Sequence, residues 1–401
     1  MPGTLSFSPT HTAARDALQR FVPKAGAHYA NRRNYDPGPG RHHAVSQLSP
    51  YLRHRVLTEE VVLRAVLARH APEAAEKFIQ EVFWRTYWKG WLELRPAVWQ
   101  DYRSRLLHQL DRVQSEEGLR HRWQAGCTGE TGLDCFDAWA QELVQTGYLH
   151  NHARMWFASI WIFTLGLPWE LGADFFLRHL LDGDPASNTL SWRWVAGLQT
   201  RGKAYVAQPD NIAKFTEGRF APAPDDLNST AAPLDGPPPP PPLSSPTGGR
   251  ITPGLRTLFV LHEDDLSPGW LLDADLRPVG TALLTSGACL SPLKPAPHVT
   301  HFRAALVQET AGRWQTQLGP TRTAKSAGDI AAMARDLGAE QIVTAYAPTG
   351  PVAEILQELD GVVQMLRPYD ARAWPHATAG YFKFRKKIPT LLAALDLPAG
   401  G

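Results

Sequence analysis

The chain has 401 residues, 43% hydrophobic and 20% charged, enough to bury substantial cores in two or three domains of ~150 residues each. Nothing in it approaches the ~18 to 20 uninterrupted apolar residues of a membrane span, and Met1 to Ala14 has Ser, Thr and Pro where a leader needs a basic patch and an apolar run. A cytoplasmic protein with no membrane contact is therefore expected, and Cys127, Cys135 and Cys289 form neither a closed disulfide set nor the half-sites of a zinc centre.

The net charge of +2 averages over an uneven distribution: residues 1–122 hold 19 Lys or Arg against 12 Asp or Glu. That segment carries about +7 and the remainder about -5, so the first third is a candidate phosphate-facing surface. Ordinary scatter of surface arginine is the plain alternative.

Residues 1–220 hold 11 of the 14 tryptophans. Apolar residues recur at spacings of three and four over Thr58 to His70, Ala74 to Glu93, Ala138 to Thr146, Asn151 to Leu165 and Trp169 to Leu181, which predicts a large helical domain. Residues 221–253, with six consecutive prolines from Pro237 to Pro242, read as a polyproline or coil linker. From residue 254 the pattern alternates. Thr257 to His262, Gly280 to Thr285, Gln341 to Tyr346 and Gly361 to Leu366 are strand-like, while Ala327 to Leu337 and Val352 to Leu359 are helical. This predicts a small Rossmann-like parallel α/β domain over 254–401, with no GxGxxG after its first strand to mark an ordinary dinucleotide site. Trp374 to Pro389 mixes aromatic and basic residues; an amphipathic end segment is preferred over a nucleic-acid or domain-docking patch.

Leu181 to Gly202, LDGDPASNTLSWRWVAGLQTRG, places two carboxylates, an amide and two tryptophans within 13 residues. Asp182 and Asp184 can accept from a ligand's NH and OH groups, Asn188 can meet a ring nitrogen, and Trp192 and Trp194 offer stacking or electron transfer. Singly, an Asp-Gly-Asp turn or a pair of core tryptophans needs no such role. His42 and His43 lack a third and fourth ligand at metal-site spacing, so they read as a solvated loop and no metal is expected.

Taken together, these residues resemble the photolyase and cryptochrome family of flavoproteins. The signature DGDxAxNxxxWxW is present as Asp182, Gly183, Asp184, Ala186, Asn188, Trp192 and Trp194; TGYLHNHARM from Thr146 to Met155 resembles the family's TGWxHNxxRM. QEVFWRTYW from Gln80 to Trp88 resembles NExxWREFY, and VSQLSPYL from Val45 to Leu52 resembles TSxLSPYL, preceded by Tyr29 and Arg33. The blocks occur in the family's order over residues ~25 to 220.

The resemblance implies bound FAD. Tyr29, Ser46, Leu48 and Ser49, with Gln47 in the same loop and Val45 replacing the usual threonine, would hold its diphosphate and ribityl chain. Asp182 and Asp184 would contact isoalloxazine and adenine-side groups, Arg154 would pair with Asp182, Asn151 would join the set, and Asn188 would face the flavin N5. Trp192 would be the proximal electron donor and Trp169 the next; the third donor is not placed, and Trp123 lies in a shifted segment. Asn151 and Met155 match members acting on cyclobutane pyrimidine dimers, where the (6-4) enzymes have His. Glu81, Trp84 and Trp194 would complete the dimer pocket, and Arg33 and Arg85 would grip flanking phosphates.

The implied activity is light-driven electron transfer from reduced FAD to a cyclobutane pyrimidine dimer in damaged DNA, by a monomeric lyase. The alternatives are a cryptochrome-like blue-light receptor acting through a partner, or a flavin-bound nucleic-acid module without light chemistry. Family members place an α/β domain before the helical one; here it follows, and no residue assigns an antenna chromophore, folate or deazaflavin, to it.

Overall fold

The computed structural model describes residues 7–395. Met1–Ser6, where the segment read for a leader begins, and Asp396–Gly401, the end of the expected α/β domain, lie outside the described residues. Among the described residues no helix is long and apolar enough to cross a membrane.

The predicted helices form close to their expected bounds. Thr58 caps the helix Glu59–Leu67, its side chain accepting from the Val61 amide, with Glu59 and Glu60 in the positive first turn. The helix Glu76–Glu93 buries residues around most of its second half, from Phe83 and Tyr87 to Trp91 and Glu93, because other elements cover it on several sides. The helix Asp134–Thr146 ends at Gly147 in the left-handed conformation. Asn151–Ser159 continues through a wider turn, Ile160–Thr164, into the loop before Trp169–His179. Asp184 caps Pro185–Val195, whose first position is proline. Pro185–Val195 packs against Glu76–Glu93, Asn151–Ser159 and Trp169–His179, so the most informative stretch of sequence lies at the centre of the helical part.

The C-terminal part is a five-stranded parallel sheet of β1 (Thr257–His262), β2 (Pro278–Leu284), β3 (Thr321–Ala324), β4 (Gln341–Ala345) and β5 (Val363–Met365), in the order β3-β2-β1-β4-β5. This is the doubly wound arrangement, whose strand order reverses between β1 and β4. Leu258, Val260 and Ala282 face the helices Ala327–Asp336 and Pro351–Gln357 on one side. Phe259, Leu261 and Leu283 face the other way and join one continuous core with the helix Pro297–Arg313 and the helical part.

Three sequence expectations change. The proline-rich segment has no regular structure, but it is bound along its length: Leu227 is buried, Leu234 N–H donates to the Ala196 carbonyl at 2.9 Å, Leu243 N–H to Leu94 at 2.8 Å, and Arg95 holds the Pro240 carbonyl at 2.9 Å. Trp374 to Pro389 is a docking segment: Trp374 lies against Gly90, where a Cβ would meet its ring at 2.7 Å, and the Tyr381 hydroxyl donates to the Gln80 carbonyl. His42 is buried, not solvated; only His43 is exposed.

Candidate functional site

The loop Asp182–Asp184 is tied down from three sides. Arg154 donates to Asp182 Oδ2 at 2.8 Å, leaving Asp182 Oδ1 buried without a partner. The Gly183 carbonyl accepts from Arg53 Nε at 2.9 Å and from Arg303 Nη2 at 3.2 Å. Asp184 accepts from the Ser187 amide through Oδ1 and from Arg85 through Oδ2. Burial alone would raise this carboxyl, but the charges of Arg85 and Arg53 outweigh it and hold Asp184 well below the usual carboxylate range.

Two of these arginines connect the loop to the sheet. Glu263, Asp264 and Asp265 follow β1, at the carboxyl end where a doubly wound sheet takes its ligands. Here the helical part fills that crevice. Arg53 pairs with Asp264, the His54 ring with the Glu263 carbonyl at 2.7 Å, and Arg55 with Asp370 at 2.7 Å and Asp265 at 3.5 Å. Arg303 pairs with Glu263 and Arg367 binds both oxygens of Asp265. Lys89 sits among these groups, buried, and burial with the charges of Arg55 and Arg85 pulls it down to about 8.

Arg85 was expected to reach phosphate. It instead turns inward, bridging Glu59 at 3.3 Å, Asp184 at 3.2 Å and the Arg53 carbonyl at 3.2 Å, because two buried carboxylates lie closer than solvent. Asp184, expected to contact the flavin, has both oxygens engaged and anchors its own loop. Tyr29 is buried between Phe21 and Phe78, edge-on to both. Arg33 pairs with Glu81, both half-buried. Trp84 and Trp194 are also half-buried, but Tyr381 stacks on Trp84 at 3.4 Å between ring centroids and Tyr205 on Trp194 at 5.6 Å. Asn151 is exposed and Met155 half-buried, one helical turn apart.

Asn188 is buried and donates from Nδ2 to the Ala173 carbonyl at 2.7 Å, while no hydrogen bond reaches its Oδ1 among the described residues. Trp192 is buried with its Nε1 unpaired, edge-on to Trp161 at 6.2 Å and Phe176 at 5.1 Å. Trp169 instead packs on Tyr102, at 5.6 Å. The sequence reading passed over Trp161, Gly172, Arg53 and Arg303. Gly172 had a legible reason only in three dimensions: a Cβ there would meet Trp192 Cη2 at 2.3 Å and Trp161 Nε1 at 2.9 Å.

Beneath Tyr148 lies a second buried polar group. Asp36 accepts from His42 Nε2 at 2.9 Å, Trp139 Nε1 at 3.1 Å and Arg219 Nη2 at 3.0 Å. Burial would raise Asp36, but these partners outweigh it and hold the carboxyl at about 2. His150 stacks on His42 at 5.5 Å and burial lowers it to about 3; burial and the Asp36 charge push Glu142 up to about 8. Among the described residues no group of three His, Cys, Asp or Glu can hold a metal ion.

The residues present fit a flavin. Asp182 keeps a buried unpaired acceptor, Asn188 a free carbonyl oxygen, and Val45, Ser46, Gln47 and Ser49 stay half-buried where Leu48 is buried. Gln47 has φ +53°, a conformation costly for a side chain and retained where surrounding structure dictates it. The helix after it, Ser49–Arg53, is only five residues long, so loop hydroxyls and amides would make the contacts.

Comparison with known proteins agrees. Residues 78–218 match the FAD binding domain of DNA photolyase. A deoxyribodipyrimidine photo-lyase of Streptomyces griseus is 40% identical over 159 residues, 39% of this chain and 33% of that protein. One of Synechococcus sp. is 32% identical over 201 residues, 48% of this chain and 40% of that protein. A bacterial class III photolyase from Agrobacterium tumefaciens, known from its crystal structure, aligns at 28% identity over 52% of this chain and 43% of that one, with a TM-score of 0.40. The chain spans less than half the length of each of these relatives.

Proposed function

We propose that this chain, which over residues 78–218 belongs to the FAD binding domain family of DNA photolyase, is a light-driven lyase that repairs cyclobutane pyrimidine dimers in DNA as a cytoplasmic monomer. The carrying observation is the Arg154–Asp182 pair with its unpaired buried oxygen, within the family-matched stretch that also holds Asn188. In our division, residues 1–220 bind flavin and lesion, 221–253 form the strap, and 254–401 hold the flavin loops through the acidic end of β1.

Reduced FAD, when bound, would supply the electron that opens the cyclobutane ring under blue light and take it back afterwards. The chain's own residues do the rest. Asp182 Oδ1 would accept from the ring system's NH, and Arg154 orients that carboxylate through its hydrogen bond to Oδ2. Asn188, fixed through Ala173, presents its Oδ1 to the ring's redox edge and sets which protonation state is favoured. Ser46, Gln47 and Ser49 hold the phosphate arm; Tyr29 backs the loop through Arg33. Glu81, paired with Arg33, would face the pyrimidine carbonyls, while Asn151, Met155, Trp84 and Trp194 would receive the extruded bases. Trp192, with Trp169 as the next member, would supply electrons to a bound flavin. Arg33 remains for flanking phosphate; Arg85 belongs to the loop anchor.

The stacking of Tyr381 on Trp84 favours a second reading, a blue-light receptor that keeps the flavin and signals through a partner. One experiment separates them: the reduced, flavin-bearing protein is illuminated with an oligonucleotide containing a single thymine dimer, against a dark control. Light-dependent restoration of the thymines supports repair. A bound, photoreducible flavin without repair supports the receptor, and failure to take up flavin overturns both.

A further inference from the structure

On the far side of the helical part, between the helices Ala97–Ser115, Trp169–His179 and Pro185–Val195 and the proline-rich strap, lies a cavity of about 680 Å³. That is the size of a small-molecule site. Leu167 and Trp169 form part of an apolar floor, and Pro237 to Pro240 form a wall. None of Ser46, Arg154, Asp182 or Asn188 lines it.

Arg193 is the unusual member. It is 8% exposed, its Nε is buried without an acceptor, and its guanidinium lies over the face of Trp169, 6.0 Å from the ring centroid, with no ion pair among the described residues. A guanidinium taken from water without an anion is a cost that the fold tolerates only if something else offsets it. The neighbouring carboxylates do not. Asp101 is committed to Arg105 at 2.8 Å, and Glu170 and Asp235, which also line the cavity, make no ion pair with Arg193 among the described residues. Arg122, at the rim, makes no ion pair among the described residues, while Arg112 is occupied by Glu116 at 2.7 Å. Arg193 and Arg122, neither in an ion pair among the described residues, thus line a cavity that also holds the Trp169 indole and a row of proline rings.

We propose that this cavity binds an organic anion with a flat apolar body, an aromatic carboxylate being the chemistry it matches. A carboxylate accepts two parallel N–H bonds from the planar fork of Arg193, with Arg122 closing over it, a geometry a point charge would not need. The ring then lies along Trp169 and the proline wall, and its arrival fastens the strap to the helices. The site contains none of Ser46, Arg154, Asp182 or Asn188 and shares only Trp169 with the residues assigned to the repair reading.

The test uses the whole chain and 2-naphthoate as probe, with 2-naphthalenemethanol as its neutral counterpart, followed by calorimetry and by tryptophan fluorescence. Saturable one-to-one binding of the acid, at least about tenfold tighter than the alcohol, is expected. Arg193→Met keeps the volume and should weaken the acid about tenfold while leaving the alcohol unchanged; Arg322→Met, on the exposed edge of the sheet, should change neither. Equal affinity for acid and alcohol, or no saturable binding of the acid, overturns the proposal on the unmodified protein, so it does not depend on the Arg193 variant folding. A folded Arg193→Met protein that binds the acid as before also overturns it.

Discussion

Glu142 lies buried near Asp36, and its carboxyl is pushed up to about 8 first by burial and then by that charge. Its folded value lies above the ordinary one, so between about pH 4.5 and 8 the folded chain holds a proton that the unfolded chain has lost. Stability therefore falls as pH rises through that window, by an amount on the order of a few kcal/mol. Glu142→Gln should flatten this slope, with thermal melting at pH 5 and pH 8 converging; an unchanged difference would assign the proton elsewhere. Asn188→Asp should shift the flavin midpoint potential and leave folding intact, read by spectroelectrochemistry. At this scale the sequence was informative about residue type and less so about commitment. The Arg154–Asp182 pair was expected and forms. Arg85 and Asp184 were expected to face ligands and instead neutralise each other, because a one-dimensional reading does not show that Glu59 and Arg53 come within reach.

Among the elements, Trp169–His179, like Glu76–Glu93 at Gly90, packs closely because a side chain is missing. Gly172→Ala would drive a methyl into Trp192 and Trp161, costing about 1 to 3 kcal/mol as overpacking; urea unfolding measures the loss, and a shifted tryptophan emission locates it. Strand β1 was legible because Thr257–His262 is buried at every position, giving the continuous run of a central parallel strand. Strand β3 was not: Thr321, Arg322 and Thr323 are exposed on the sheet edge, so TRTA carries no apolar signal. The helix Pro297–Arg313 was also missed, since Arg303 and Thr310 lie among its buried positions and blur the stripe. Arg303 is buried there to meet Glu263, a reason that lies in another element.

For the whole molecule, the boundary between the helical and α/β parts is a row of buried ion pairs, not a hinge. Removing one partner of such a pair strands the other. Asp264→Asn should therefore cost about 3 to 5 kcal/mol, with flavin affinity falling alongside because Arg53 also holds Gly183. A variant that loses stability and keeps flavin affinity would separate the two roles. That an α/β part follows the helical one was legible from composition, since the prolines at 237–242 divide two patterns. The intimacy of the joint was not, because Arg53 to Arg55 and Glu263 to Asp265 read as unremarkable charges until they are brought together.

That joint also imposes an order of events during synthesis. Arg53 and Asp264 are 211 positions apart, and Arg55 and Asp370 are 315. The first half emerges from the ribosome with Arg53 and Arg55 lacking their acidic partners in the sheet, and the loop they steady cannot settle until the sheet has been made. The loop anchor is thus completed only after the sheet has been made, with Arg53 and Arg55 left until then to Asp184 and Glu59 alone.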